Sequence, residues 1–180
     1  MDITITKQRS SMGVGYEVSA NTTTTTWLTP RNIIEQLGPF DLDPCTPEQG
    51  MPWATATVML KPSDDGLTTA WPQQSFVWMN PPYGRGQDLW MKKMAEHGNG
   101  LALVLARMEV QWMHEFVLEH PSVHSILLPK GRLRYCKPDG VQGDPATAGS
   151  LLIAYGERAD QQLRKIHGST VHGKLIDLKR

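Results

Sequence analysis

The segment Phe76-Val77-Trp78-Met79-Asn80-Pro81-Pro82-Tyr83-Gly84 decides how this chain is interpreted, because it has the pattern of a strand that ends abruptly. Four apolar residues precede two prolines, which lack the N–H needed to continue a sheet and which fix φ. We therefore expect Asn80 and the ring of Tyr83 at a rigid strand end, where open α/β sheets bind ligands. An amide oxygen beside an aromatic face suits a planar exocyclic amine, such as that of adenine. The alternative is a plain Pro-Pro turn, which does not account for Tyr83 or for the apolar strand.

Predicted helices and strands alternate along the rest of the chain. Apolar periodicity and Gly or Pro boundaries predict helices at 31–37, 87–97 and 111–119, and strands at 40–43, 57–60, 76–79, 101–106, 123–128 and 149–155. This alternation is typical of an α/β protein with a doubly wound, mostly parallel sheet. Because no helix is predicted between the last two strands, we expect them to form an antiparallel hairpin at one edge of the sheet.

The composition restricts the classes of partner and cofactor. The 180 residues include 18 Lys plus Arg and 18 Asp plus Glu, so the net charge is zero and any nucleic-acid contact requires a local basic patch. Two cysteines, Cys45 and Cys136, and six scattered histidines do not form a zinc-binding pattern, so no metal is expected. The lack of a leader-like or membrane-length apolar segment predicts a cytoplasmic protein. Polar residues 1–24 predict a flexible arm, followed by a single domain over 25–180.

Four sequence elements occur in a fixed order: Trp27-Leu28-Thr29-Pro30, then 40–45, then Asp64-Asp65-Gly66-Leu67 upstream of Trp71, then 78–84. In this order they resemble the S-adenosylmethionine-dependent DNA adenine-N6 methyltransferases, most closely the small Dam-like enzymes of bacteriophages and prophages. The resemblance extends from about residue 27 to about residue 155. It implies a Rossmann-like methyltransferase fold, S-adenosyl-L-methionine as the cofactor, DNA as the partner, and a bacterial host or phage-infected cell as the setting.

The resemblance implies that Asn80, Pro81, Pro82 and Tyr83 form the catalytic loop. The Asn80 side chain and the Pro81 backbone carbonyl would accept the two hydrogens of the target N6 amine, and the Tyr83 ring would stack on the base. Two acceptors favour a pyramidal nitrogen and stabilise the charge that grows on it during attack on the methyl group. Positioning then suffices without a metal or a covalent intermediate. Because the amine is buried in duplex DNA, the base must be flipped out.

The resemblance also implies a set of cofactor-binding residues: Trp27, Thr29, Pro30, Asp43, Pro44, Cys45, Asp65 and, shared with catalysis, Asn80. Asp43 ends the first predicted strand and is succeeded by Pro44-Cys45-Thr46-Pro47 rather than by a Gly-x-Gly loop. Asp65 is expected to accept from the cofactor adenine, and Glu48 is the nearest candidate acid for its ribose.

Each of these cofactor residues also has a purely structural interpretation. Thr29 is placed as a helix N-cap with Pro30 at the first helical position. Asp43 can cap a turn. Asp65 lies in an ordinary Asp-Asp-Gly turn, where Asp64 is an alternative.

A basic segment is the predicted DNA contact. Lys130, Arg132 and Arg134 precede Tyr135, and the Dam-like enzymes share a similar Gly-Arg-x-x-aromatic element, while Arg85 follows the catalytic loop. These cations suit phosphates or guanine edges. The alternative is a solvated basic hairpin. Two further sets of residues also have two interpretations. Lys92 and Lys93 either extend the basic patch or face water. Trp53, Trp90 and Trp112 are expected to pack in the core rather than to form a base-stacking surface.

Two other functions are compatible with the same motif. A methyltransferase acting on another planar amine, such as a glutamine amide or an RNA guanine, would use the same grip. Such families usually keep a Gly-rich cofactor loop, which this chain lacks. A non-catalytic nucleic-acid-binding relative would keep the fold, but it would have no physical need for the intact 80–83 loop. The sequence therefore favours an adenine-N6 DNA methyltransferase.

Overall fold

The structure is a computed structural model that describes residues 26–146 and 148–178. The flexible arm predicted for residues 1–24 lies outside these ranges. In the described ranges the helices are α1 (Arg31–Leu37), α2 (Gln87–His97), α3 (Gln111–Met113, continued by a π-helical turn, His114–Leu118) and α4 (Glu157–Ile166), with a 3₁₀ turn at Pro62–Asp64. The strands are β1 (Leu42–Asp43), β2 (Val58–Met59), β3 (Val77–Met79), β4 (Gly100–Leu105), β5 (Val123–Pro129), β6 (Arg134–Cys136), β7 (Gln142–Pro145), β8 (Ser150–Tyr155) and β9 (Gly173–Asp177).

A seven-stranded sheet has the order β2-β1-β3-β4-β8-β5-β9. The pairs β1–β2, β1–β3 and β3–β4 are parallel, whereas β8 is antiparallel to both β4 and β5. Five strands therefore run in one direction, and only β8 and β9 oppose them within this described sheet. The predicted mixed α/β fold with a mostly parallel sheet is confirmed.

The predicted position of the antiparallel pair is wrong. β5 and β8 pair as expected, but β8 lies between β4 and β5, and the unpredicted strand β9 forms the edge beyond β5. Every residue of β8 is buried, which requires a neighbour on each side, whereas β9 is mostly exposed, as an edge strand is. Helix α4 was also not predicted, although Ala159, Leu163 and Ile166 share its buried face.

Helices cover both faces of the sheet. Alternate residues of β4 point to opposite faces, so Leu101 and Leu103 pack in one apolar cluster and Ala102 and Val104 in the other. The first cluster includes the buried sides of α1 and α4, and the second those of α2 and α3. The continuous apolar run of β4 is thus a strand that is buried on both sides, as its sequence predicts.

The winding of the sheet reverses next to β1. β2 lies on one side of β1 and β3 on the other, so the connections that leave β1 and β3 diverge. In open α/β sheets the crevice outside such a switch point is the usual ligand site. Asp43 is the last residue of β1, and Asn80 directly follows β3, so both polar residues stand at this crevice.

Gly100 permits the close approach of β3 and β4, and its substitution tests the sheet. A Cβ at Gly100 would lie 2.3 Å from the Val77 carbonyl oxygen and 2.7 Å from Met94 Cε. We expect Gly100→Ala to lower the free energy of unfolding by about 1–3 kcal/mol, because β3 must shift. The measurement is urea denaturation. The matched control is Gly149→Ala, whose Cβ would meet Ala106 Cβ at an ordinary 3.7 Å. Equal midpoints for the two variants would contradict the tight contact.

Candidate active site

The Asn80 side-chain amide is held at both ends. Its Nδ2 donates to the Trp27 carbonyl at 3.3 Å and to Thr29 Oγ1 at 3.4 Å, and its Oδ1 accepts from the Tyr83 hydroxyl at 3.0 Å. Because the Trp27 carbonyl only accepts, the NH₂ group must face it, which directs Oδ1 the other way. An amide oxygen has two lone pairs, so one remains for a donor in the adjoining cavity.

A line of hydroxyl groups supports Tyr83. The hydroxyl oxygens of Tyr83 and Tyr135 are 3.4 Å apart, and Tyr135 is hydrogen-bonded to Ser150 Oγ at 3.0 Å. Since Asn80 Oδ1 only accepts, the Tyr83 proton points to Asn80, and the remaining hydroxyls align behind it. Tyr135 is only 3% exposed. It therefore lies behind the 80–83 loop and does not present its ring at the surface, which differs from the predicted DNA contact.

The segment before α1 is fixed by a pair of backbone hydrogen bonds. The N–H of Leu28 donates to the Cys136 carbonyl, and the N–H of Cys136 to the Leu28 carbonyl, both at 2.8 Å. The prediction of Thr29 as the N-cap is wrong: α1 begins at Arg31, Pro30 is its N-cap, and no side chain caps this end. The Thr29 hydroxyl instead faces the Asn80 amide.

Asp43 closes the loop that follows β1. One carboxyl oxygen accepts from the Cys45 N–H at 2.9 Å and the other from Thr55 Oγ1 at 2.5 Å. Burial raises the pKa of Asp43 to about 6, although the hydrogen bonds from Thr55 and Cys45 oppose this rise. The pKa of the Cys45 thiol is also raised, mainly by burial and secondly by the charge of Asp43, so the thiol stays protonated. Thr55 was missed from the sequence, because it lies 12 residues from Asp43 in a loop without periodicity.

The turn at 65–69 forms the opposite wall. Asp65 has a left-handed backbone with φ 47°, and its Oδ1 accepts from the N–H of Leu67 at 3.2 Å and of Thr68 at 3.4 Å. A Cβ at Gly66 would lie 2.3 Å from the Pro44 carbonyl oxygen, so this turn packs directly on the loop after β1. Asp64, the alternative to Asp65, instead accepts from the Lys61 N–H at 2.8 Å.

These elements surround a cavity of about 570 Å³. Its volume is in the range of small-molecule sites. Nearly all of the predicted catalytic and cofactor residues line it together with Glu48: Trp27, Thr29, Asp43, Pro44, Cys45, Asp65, Asn80, Pro81, Pro82 and Tyr83. Pro30 does not line this cavity. Trp90 packs against the core, as the sequence predicts, and also lines this cavity; the only sequence signal for that second position was its place on the helix after the 80–83 loop.

A second cavity, of about 310 Å³, contains most of the predicted DNA-contacting cations. Lys130, Arg132 and Arg134 line it, and Pro30 and His172 are among the other lining residues. Its lining includes no Asp or Glu among the described residues, so its charge is uncompensated there. Of the basic segment, Arg134 and Tyr135 lie in β6, which pairs with β7 as an antiparallel hairpin, whereas Lys130 and Arg132 precede it. Arg85 is exposed and lines neither cavity.

The described ranges contain no cluster of three or more His, Cys, Asp or Glu residues arranged to hold a metal ion. No helix within residues 26–146 and 148–178 has the length and apolar character needed to cross a membrane.

Comparison with known proteins gives a family and a relative. A family model described as DNA N-6-adenine-methyltransferase (Dam) matches residues 19–172. The DNA N-6-adenine-methyltransferase of Escherichia phage T1 is 31% identical over 97 residues, which cover 49% of this chain and 39% of the relative. The chain thus matches well under half of the length of that relative. No solved structure matches.

The buried carboxyl of Asp43 predicts a pH-dependent stability. Its folded-state pKa of about 6 exceeds the ordinary pKa of 3.8 for an aspartate, so the folded protein holds the proton more tightly than the unfolded chain does. This contribution is present below pH 4 and is lost as the pH rises towards 6. It amounts to about 3 kcal/mol for a shift of about two units.

Asp43→Asn removes this titration. We expect the decline in the free energy of unfolding between pH 4 and 6 to become smaller in this variant, as measured by urea denaturation at a series of pH values. Asp88→Asn, at an exposed site on α2, is the matched control and keeps the wild-type profile. If Asp43→Asn also kept that profile, the assigned pKa would be wrong.

Proposed function

The chain belongs to the DNA N-6-adenine-methyltransferase (Dam) family, and from this premise we propose that it transfers a methyl group from S-adenosylmethionine to the N6 amine of adenine in DNA. The observation that carries the proposal is the Asn80 amide, which is held at both ends with its oxygen directed away from the Trp27 carbonyl. A rigid, correctly oriented acceptor is what an amine donor requires. We further propose that 25–180 form one Rossmann-like methyltransferase domain.

The residues around the larger cavity fit the cofactor. Its lining includes the acids Asp43, Glu48 and Asp65, which suit a ligand with an ammonium group, a sulfonium and ribose hydroxyls, and the ring of Trp90 adds an aromatic surface. When bound, S-adenosylmethionine supplies a methyl group on a positively charged sulfur. We assign Asp65 to binding the adenine of the cofactor, and Asp43 to holding the neighbouring loop after β1. Pro30 is left out of this set, because it lines the other cavity.

The catalytic loop holds the target amine. Asn80 Oδ1 and the Pro81 carbonyl accept its two hydrogens, which favours a pyramidal nitrogen with an available lone pair. The Tyr83 hydroxyl uses one lone pair of Asn80 Oδ1 and leaves the other to the amine. The Tyr83 ring stacks on the flipped base and replaces part of the stacking energy lost from the duplex. Pro82 is exposed and keeps the loop rigid.

The cations of the second cavity hold the DNA backbone. Lys130, Arg132 and Arg134 are exposed around it, and its Pro30 directly follows Thr29, which lines the larger cavity. We propose that these side chains, with Arg85, contact phosphates next to the flipped nucleotide. Tyr135 acts instead behind Tyr83. The other planar amines, a glutamine amide and an RNA guanine, would need the same grip, and family membership favours adenine.

Substitution of Asn80 tests the catalytic role. In a host without adenine methylation, we expect the wild-type protein to introduce N6-methyladenine into plasmid DNA, which sequencing detects. Asn80→Ala removes one acceptor of the amine and should lower the rate of transfer about 10²-fold or more, by analogy with the loss of one preorganised transition-state contact. The fold should persist by circular dichroism.

The matched control is Asn99→Ala. Asn99 bonds to the Gln74 and Ser75 carbonyls at the other end of β3, so its loss should leave transfer near the wild-type rate. Transfer by Asn80→Ala at the wild-type rate would contradict the mechanism. Isothermal titration tests the cofactor separately: failure of the wild-type protein to bind S-adenosylmethionine at millimolar concentration would overturn the enzyme assignment.

The salt dependence of DNA binding tests the cationic cavity. Each phosphate contact that is removed should reduce the slope of log Kobs against log salt by about 1. We therefore expect Arg132→Gln and Arg134→Gln each to reduce the slope, measured by fluorescence anisotropy on a duplex. Lys165→Gln, on the exposed side of α4, serves as the control and should leave it unchanged. Equal slopes for all three variants would exclude this cavity as the backbone site.

A further inference from the structure

Lys93 is bound to three backbone carbonyl groups of one turn. Its ammonium nitrogen donates to the carbonyls of Gly66 at 3.1 Å, Leu67 at 2.6 Å and Thr69 at 2.7 Å. An ammonium group has three N–H donors, so this set uses all of them. The sequence left Lys93 as part of a DNA-binding patch or as a solvated residue. Neither interpretation matches a side chain whose donors are all directed into the protein.

The turn needs this cation in order to keep its shape. Carbonyl oxygens that converge on one point repel each other, and the ammonium charge compensates for that repulsion. Trp71 adds a second support: its Nε1 donates to the Gly66 carbonyl at 3.0 Å, and its ring centroid lies 4.9 Å from Lys93 Nζ. The pKa of Lys93 is lowered, because the effect of desolvation exceeds the opposing effect of the Asp65 charge.

The held turn is a wall of the larger cavity. Asp65 and Gly66 line it, and the absence of a side chain at Gly66 brings the turn against Pro44. A small displacement of the turn therefore changes both the width of the cavity and the place of the Asp65 carboxylate. Lys93 belongs to α2, which begins three residues after the Asn80-to-Gly84 loop ends. It thus connects the helix that follows the catalytic loop with the turn assigned to the cofactor.

We propose that Lys93 is a positioning residue for the cofactor adenine: it fixes the 65–69 turn and through it Asp65, and it does not contact DNA. This inference rests on the proposed cofactor site. A neighbouring lysine offers a contrast on the same helix. Lys92 is exposed and only approaches Glu96, at 3.8 Å, so its loss removes a cation but leaves the turn unchanged.

Three variants test the proposal: Lys93→Met, Lys93→Arg and the control Lys92→Met. We expect Lys93→Met to raise the Kd of S-adenosylhomocysteine and the KM of S-adenosylmethionine about tenfold or more, as for other groups that orient a binding residue. The KM of DNA should stay near the wild-type value. Lys93→Arg keeps the charge, but a planar guanidinium does not reproduce three converging bonds, so it should resemble Lys93→Met. Lys92→Met should bind the cofactor as the wild type does.

Hydrogen exchange supplies a readout that does not depend on activity. The amides of Leu67 and Thr68, protected by Asp65, should exchange about tenfold faster in Lys93→Met than in Lys92→Met. If Lys93→Met raises the KM of DNA and leaves the cofactor constants unchanged, or if Lys93→Arg behaves as the wild type, Lys93 is a phosphate contact and the proposal is wrong. Failure of the wild-type protein to bind S-adenosylhomocysteine would overturn the proposed function as well. Unchanged binding by the Lys93 variants alone overturns only this inference.

Discussion

The end of β3 at two prolines is the constraint on which the site depends. Neither Pro81 nor Pro82 has an N–H group, so the strand cannot continue and the chain must leave the sheet beside β1. That exit coincides with the reversal of the winding, where the two loops diverge. Trp78 and Met79 are buried on opposite faces, so the strand cannot rotate or slip without exposing one of them. The packing of Trp78 and Met79 in the core therefore fixes the orientation of Asn80.

The loop after β1, which we propose to contact the cofactor, is closed by a carboxyl group in place of glycines. A Gly-rich loop exposes its backbone N–H groups because it lacks side chains. Here Asp43 is buried, and each of its carboxyl oxygens accepts one hydrogen bond, from the Cys45 N–H and from the Thr55 hydroxyl. The loop therefore gains rigidity from a buried acid, at the cost of the desolvation that raises the pKa of Asp43. A close backbone approach at this place is made instead by Gly66, on the facing turn.

Local patterns predicted α1, α2, α3 and six of the strands, and long-range pairing decided the rest. The bounds of α1 and α2 agree with the sequence because a proline or glycine marks the start or the end of each. The motif residues converge on one cavity because parallel strand ends share one edge. The position of the Thr29 hydroxyl, by contrast, is set by a hydrogen bond from Asn80, which lies 51 residues away in the sequence, and no local rule reveals it. Likewise, β9 forms because β5, in which Val123 and residues 125–127 are buried, needs a second neighbour, and Lys93 finds its acceptors only once α2 packs on the turn.

The two reciprocal backbone hydrogen bonds between Leu28 and Cys136 join the segment before α1 to the β6–β7 hairpin. Trp27, whose carbonyl holds the Asn80 amide, is adjacent to Leu28, and Tyr135, which stands behind Tyr83, is adjacent to Cys136. Arg134 precedes Tyr135 and faces the cationic cavity. The hairpin is thus connected to both partners of the same amide: to Trp27 through the two Leu28–Cys136 bonds, and to Tyr83 through Tyr135. The proposed amine-binding loop and the proposed phosphate site therefore share one hydrogen-bonded unit.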